Sequence, residues 1–170
     1  SRGLGDVYKR QMDCYAVGPT LGCGTAALMA GDTIIYPYCY RTQEILDNGP
    51  LRFTVKLEFN PLTVRGDSNV VETRVITLDA GSYLNKTVVS YTNLKEAMPV
   101  TTGIVLREPD GVVTADAANG YITYVDPTTD RSGGNGKIFI GAAFPSLVKE
   151  AKTVLFPEKE KKELRGGADG

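Results

Sequence analysis

Nine consecutive residues restrict the fold of this chain more than any other stretch. Leu51, Phe53, Val55, Leu57 and Phe59 alternate with Arg52, Thr54, Lys56 and Glu58. Successive side chains of a strand point to opposite faces, so this order gives one apolar and one charged face. Wound as a helix, the same residues would scatter their apolar groups around the axis. The turn-forming run Asp47-Asn48-Gly49-Pro50 precedes the stretch and Asn60-Pro61 ends it. A half-buried strand of this kind belongs to an antiparallel sheet that packs one face and wets the other.

Similar signals recur. Long strands are expected at 70–78 and 83–91, joined across Asp79-Ala80-Gly81-Ser82, with Tyr83, Thr87, Val89 and Tyr91 on one face. Shorter strands are expected at 26–29, 33–36, 38–46, 100–106, 112–115, 120–125 and 137–142. Pro109-Asp110-Gly111 supplies a hairpin turn between two of them. Many short strands with turn signals at regular intervals predict an all-β fold, an antiparallel β-sandwich. Only Pro157 to Leu164 reads as helix, a short charged one with Glu158 and Lys162 in the favourable i,i+4 order.

Composition excludes more than it includes. Across 170 residues the hydrophobic share is 42% and the charged share 23%, which is that of a soluble globular chain. A net charge of −1 gives no electrostatic case for a nucleic-acid partner. No apolar run is long enough for a membrane span. The chain has no His, so these residues alone build neither a Ser-His or Cys-His dyad nor a His-ligated zinc site. Nothing in it calls for a cofactor.

Residues 1–11 stand apart. Ser1 to Gln11 matches, codon for codon, the in-frame translation of a transposase adapter used in preparing sequencing libraries. A scar of this kind is set aside in reasoning about the fold. It carries a charge of +2, which leaves −3 on residues 12–170. Those residues are expected to form part of a β-sandwich domain truncated at both ends, so the missing His describes a fragment.

Several candidate sites follow, each beside a plainer use. Gly22-Cys23-Gly24-Thr25-Ala26-Ala27 fits the G-x-G-x-x-A dinucleotide pattern, yet no strand-to-helix context surrounds it, and a glycine-rich turn is the expectation. Asp126, Asp130, Ser132 and Asn135 offer oxygen donors suited to calcium, but the same residues are ordinary turn formers, and no metal site is assigned. Cys14, Cys23 and Cys39 lack zinc-ribbon spacing. Their odd number leaves pairing open, with buried free thiols the default. Asn85-Lys86-Thr87 is formally a glycosylation sequon inside a strand pattern.

The charged row is more informative. If a neighbouring strand adds Glu72 and Arg74 to Arg52, Thr54, Lys56 and Glu58, one face carries several charges within reach of each other. The plain use is a solvated face of paired charges. The functional use is a groove for an anionic ligand, with Arg52 and Arg74 binding carboxylate. Lys56, Glu58 and Glu72 are then the acid–base candidates, since proton transfer beside a carboxylate does not require His. Tyr36, Tyr38 and Tyr40 alternate on one strand; they either pack a core or stack on sugar rings.

Three stretches, VGPTLGCG at 17–24, NGPLR at 48–52 and ETRVITLDAGSYL at 72–84, resemble a family termed domain of unknown function 4861. The resemblance runs from about residue 12 to the end of the chain. It implies a secreted or periplasmic protein of bacteria that digest complex polysaccharides, and a galactose-mutarotase-like β-supersandwich. The function expected is action on, or binding of, uronate-containing oligosaccharides, with lyase, dehydratase or epimerase chemistry if enzymatic. The alternative is a non-catalytic carbohydrate-binding or structural sandwich. Fold analogy alone licenses no activity, and oligomeric state stays open.

Overall fold

The computed structural model describes residues 20–107, 111–127, 136–144 and 150–151. The described strands in chain order are β1 (Cys23–Ala30), β2 (Thr33–Ile35), β3 (Tyr40–Asn48), β4 (Arg52–Phe59), β5 (Leu62–Val64) and β6 (Asp67–Asp79). They continue as β7 (Lys86–Thr92), β8 (Val100–Ile104), β9 (Val112–Asp116), β10 (Tyr121–Asp126) and β11 (Ile138–Ala143). The fold is all-β and antiparallel, of the β-sandwich type, with no helix among the described residues. The expected helix at 157–164 lies outside them, as do residues 1–11.

Each expected strand has a counterpart. One strand, β5, was not foreseen, because Asn60-Pro61 reads as a stop. The pair instead marks a break, after which the chain rejoins β6 through Leu62↔Val70 and Val64↔Asp67. β4 and β5 therefore follow one another along one edge of β6, while β7 occupies the other. β3 is the outer strand beyond β4, and all nine of its residues are exposed. Register shifts between Tyr40 and Thr42 and between Ile45 and Asp47 bulge it, a common way to keep an edge from pairing with other chains.

The strand expected at 83–91 begins only at Lys86, after a turn. The strands expected at 33–36 and 38–46 stop at Ile35 and start at Tyr40. Pro37 lies between them and has no N–H to give to a ladder. Only Tyr40 of the three tyrosines is on a strand, so the expected alternation of Tyr36, Tyr38 and Tyr40 along one strand is not what forms.

Two compact units are present, one of residues 26–101 and the other of the described residues among 20–25 and 102–151. In the first, Leu28 meets Val64 and Val70 in the core, with Ile35, Leu62, Leu94 and Met98 packed around them. The β1–β2 ribbon thus covers the β5–β6 end of the large sheet. Further along the same sheet Ile45, Phe53 and Leu78 are exposed. In the second unit β9, β10 and β11 form a three-stranded meander in the order β11-β10-β9. Tyr124 is buried there and its hydroxyl accepts the Arg107 N–H at 3.3 Å. A Cβ on Gly111 would lie 2.2 Å from the Tyr124 ring, so only glycine fits that approach.

Unequal coverage makes the unit of residues 26–101 unequally sensitive to truncation. Leu28→Ala should lower the free energy of unfolding by about 2–5 kcal/mol. Ile45→Ala, on the open part of the sheet, should change it by no more than about 0.5 kcal/mol. Urea denaturation followed by circular dichroism measures both.

Candidate functional site

The register of β4 against β3 and β6 decides which charges meet. Lys56 pairs with Val75, Glu58 with Thr73 and Arg52 with Asp79, so Arg52, Lys56 and Glu58 share one face. Each has an opposite charge beside it. Arg52 Nε donates to Asp79 Oδ1 at 2.5 Å and Nη2 to Oδ2 at 3.1 Å. Lys56 Nζ is 3.9 Å from Glu44. Glu58 accepts from Arg41 Nε at 2.9 Å and from the same guanidinium's Nη2. Arg41 reaches it because the bulge after Tyr40 turns its side chain to that face. Thr54 is buried and its hydroxyl donates to Thr77 at 3.4 Å. The row is a ladder of three ion pairs, and it neutralises itself.

Glu72 and Arg74 do not join it. Leu57 is the partner of Arg74, which puts Arg74 and, two residues earlier, Glu72 on the apolar face with Phe59. The single charged face carrying Arg52, Lys56, Glu58, Glu72 and Arg74 is therefore corrected to two faces. Glu72 is 2% exposed and accepts from Arg74 Nε. Arg74 Nη2 donates to the Ala26 carbonyl at 2.8 Å, and its guanidinium carbon lies 4.8 Å from the centre of the Phe59 ring. Tyr91 is the cross-strand neighbour of Glu72. Burial first, and the Glu72 charge second, push the Tyr91 hydroxyl well above the usual phenol range.

The two arrangements differ chemically. The Glu72–Arg74 pair is enclosed and has its hydrogen bonds in protein, so it holds strands together and offers little to a solute. The ladder is open to water and its partners exchange readily. Asp79 sits below the usual carboxylate range because the Arg52 guanidinium hydrogen-bonds to it. Arg52 is correspondingly raised by the same bond. Sequence reasoning missed Arg41, Glu44 and Asp79 as partners, since only pairing register names them.

The tyrosines are arranged differently from either. Tyr38 is 73% exposed and Tyr40 51%, while Tyr36 is half-buried. The Asn60 backbone N–H and its side-chain amide both donate to the Cys39 carbonyl, at 3.0 and 2.9 Å, fixing the chain between the two exposed rings. Cys23 and Cys39 are free but exposed, which corrects the expectation of buried thiols; Cys14 lies outside the described residues. Gly22 precedes β1 and Gly24 is its second residue, so the glycine pattern opens a strand and not a nucleotide-binding helix. Asp126 is buried in β10, and Asp130, Ser132 and Asn135 lie outside the described residues. Among the described residues no group of three acidic, His or Cys side chains gathers to hold a metal, and no helix is long and apolar enough to cross a membrane.

A family model described as a domain of unknown function (DUF4861) matches residues 11–166. No curated protein and no solved structure matches the chain.

Removing one partner of a buried ion pair strands the other charge. Glu72→Gln should therefore cost about 3–5 kcal/mol of stability, read by chemical denaturation. Asp79→Asn, on the exposed ladder, should lower the unfolding midpoint only slightly at neutral pH. The sign of its pH effect follows from its lowered pKa. The stabilisation is present above the unfolded carboxylate value of about 3.9 and is lost as pH falls through the lower folded value. Midpoints from pH 5 down to pH 2, compared with Asp79→Asn, should show the wild type losing this part of its stability and the variant lacking it.

Proposed function

Because the chain belongs to the DUF4861 family, a domain of unknown function, its role has to come from its own surface, and we propose that it binds uronate-containing oligosaccharides without itself assembling a catalytic pair. The exposure of Tyr38 and Tyr40 carries this reading. A tyrosine ring offers an apolar face to the C–H side of a sugar and a hydroxyl to its polar edge. Two such rings on either side of an anchored residue give a platform with little freedom left to lose on binding. Tyr40 stands across from Phe59 in the register, so the platform begins where the buried aromatic layer ends.

Catalysis by the described residues has less support. Lys56 faces Glu44, Glu58 faces Arg41 and Glu72 is enclosed with Arg74. No two of these acid–base candidates are directed at one substrate-sized space with a free proton carrier. Arg52 gives both prongs of its guanidinium to Asp79 and Arg74 is enclosed with Glu72, so neither keeps a fork for a ligand carboxylate. Secretion or periplasmic residence, which such a ligand requires, is part of the same proposal.

Calorimetric titration with a panel of uronate-containing oligosaccharides tests the reading. Wild type should bind, and Tyr38→Ala with Tyr40→Ala together should weaken binding by about tenfold or more, as loss of aromatic anchors does elsewhere. Absence of binding across the panel would favour a purely structural domain. Turnover of any member would restore an enzymatic role.

A further inference from the structure

We propose that a second feature of the unit of residues 26–101, the cleft between the β5–β6 turn and the segment after β7, is the subsite that recognises the carboxylate of a uronate unit. This rests on the oligosaccharide reading above and names where the charged part of the ligand would sit. Two adjoining depressions of about 370 and 460 Å³ share Gly66, Asp67 and Lys95. Arg65 and Glu96 line the first, and Asn69 and Asn93 the second.

The backbone here is set by tight connections: Arg65 and Gly66, at φ 52° and 85°, are the two central residues of the β5–β6 hairpin, and the β5–β6 register shifts just beyond it. Arg65, Asn69 and Asn93 are the non-glycine residues with positive φ among those described, at 52°, 56° and 63°. All three surround this cleft. Hydrogen bonds across the cleft hold these turns in place. Asn93 Nδ2 donates to the Asn69 carbonyl at 2.7 Å, and the Lys95 backbone N–H donates to Asp67 Oδ2 at 3.0 Å. Val64 and Val70, at either end of the turn, are core residues, and Leu94 and Met98 pack on that core from the opposite segment. The cleft is therefore preformed, with its walls tied to one another and its floor tied to the core.

Its chemistry suits an acidic sugar. Arg65 and Lys95 direct two cations to the opening, their side chains 49% and 83% exposed. Of the carboxylates, Asp67 is turned inward, its side chain 13% exposed; it accepts the Lys95 N–H and lies 3.4 Å from the Lys95 ammonium, so each cation has a carboxylate beside it and Lys95 keeps its exposed end toward the opening. Glu96 is open to solvent and only 3.3 Å from Arg65. An exposed pair of that kind contributes little, so an incoming carboxylate displaces Glu96 from the guanidinium at small cost. Arg then offers a two-pronged contact and Lys a point charge. The carboxamides of Asn69 and Asn93, with Ser68, supply the mixed donors and acceptors that sugar hydroxyls need. From Phe59, the cross-strand neighbour of Tyr40, the backbone covers six residue steps to Arg65, at most about 20 Å. One oligosaccharide can span both places.

The test uses the full chain and two oligosaccharides of equal length and linkage, one bearing glucuronate and one neutral, titrated calorimetrically. Free glucuronate is a third probe, followed by NMR of the Arg65 and Lys95 side chains. The double variant Arg65→Gln/Lys95→Gln should lose about tenfold or more in affinity for the acidic ligand, the scale of a lost charge-assisted contact, and nothing for the neutral one. Glu96→Gln should bind the acidic ligand a few-fold more tightly, an effect that a merely structural role does not produce. Circular dichroism melts of each variant confirm folding. If the double variant keeps the acidic preference while the tyrosine variants lose binding, the cleft proposal is wrong and the oligosaccharide reading stands. If neither oligosaccharide binds wild type but free glucuronate shifts the Arg65 and Lys95 signals, the cleft stands and the tyrosine platform fails. No response to any probe overturns both.

Discussion

The register of β6 is the constraint on which the arrangement of charge depends. Its thirteen residues pair with β4 and β5 along one edge and with β7 along the other. A slip by one residue would turn Glu72, Arg74 and Ile76 outward and Thr73, Val75 and Thr77 inward. The enclosed charges would then separate, and the ladder would lose Asp79 opposite Arg52. Enclosing Glu72 and Arg74 also commits other parts of the chain. Charges leave water only with partners in place, and one of these is the Ala26 carbonyl. β1 must therefore lie over the sheet at that point, where Leu28 closes the core against Val64 and Val70.

One sheet thus handles charge in two ways. On the ladder face, three pairs remain in water, contribute little each, and are screened by salt. On the apolar face, the single pair is held between the Ala26 carbonyl and the Phe59 ring. It fixes which strands lie together but has no spare valence for a solute. On the proposed reading, recognition falls to the margins of the sheet, where loops on a rigid scaffold carry polar groups. The tyrosine segment before β3 and the cleft beyond β5 are two such margins of the same unit.

Strand positions were legible because they depend on local alternation. Leu51 to Phe59 has only one sensible reading, and β4 follows it closely. The face of Arg74 was not legible for a physical reason. In Glu72-Thr73-Arg74-Val75-Ile76-Thr77-Leu78 neither alternate set is clearly apolar, so composition cannot say which set is buried. The decision falls to pairing with Leu57, which is not local. Pro37 was a visible signal that Tyr36 and Tyr38 stand off the strand, and the even spacing of the tyrosines obscured it. The cleft was least legible of all. Residues 65–69 and 93–98 share no motif, and the tendency of Asn to accept the left-handed region becomes a hint only once both segments are seen together.

The edge of the sheet gives the tyrosines their weight. An exposed outer strand invites pairing with other chains, and β3 meets that hazard with two bulges and with Arg41 and Glu44 engaged in ion pairs. Those devices need no aromatic residues. Charged side chains at 38 and 40 would guard the edge better, and core packing does not account for rings that are mostly in water. Exposed rings beside a guarded edge leave apolar surface that a ligand can cover. On the oligosaccharide reading, a flat, hydroxyl-rich ligand covers them without opening the ladder or disturbing the enclosed pair.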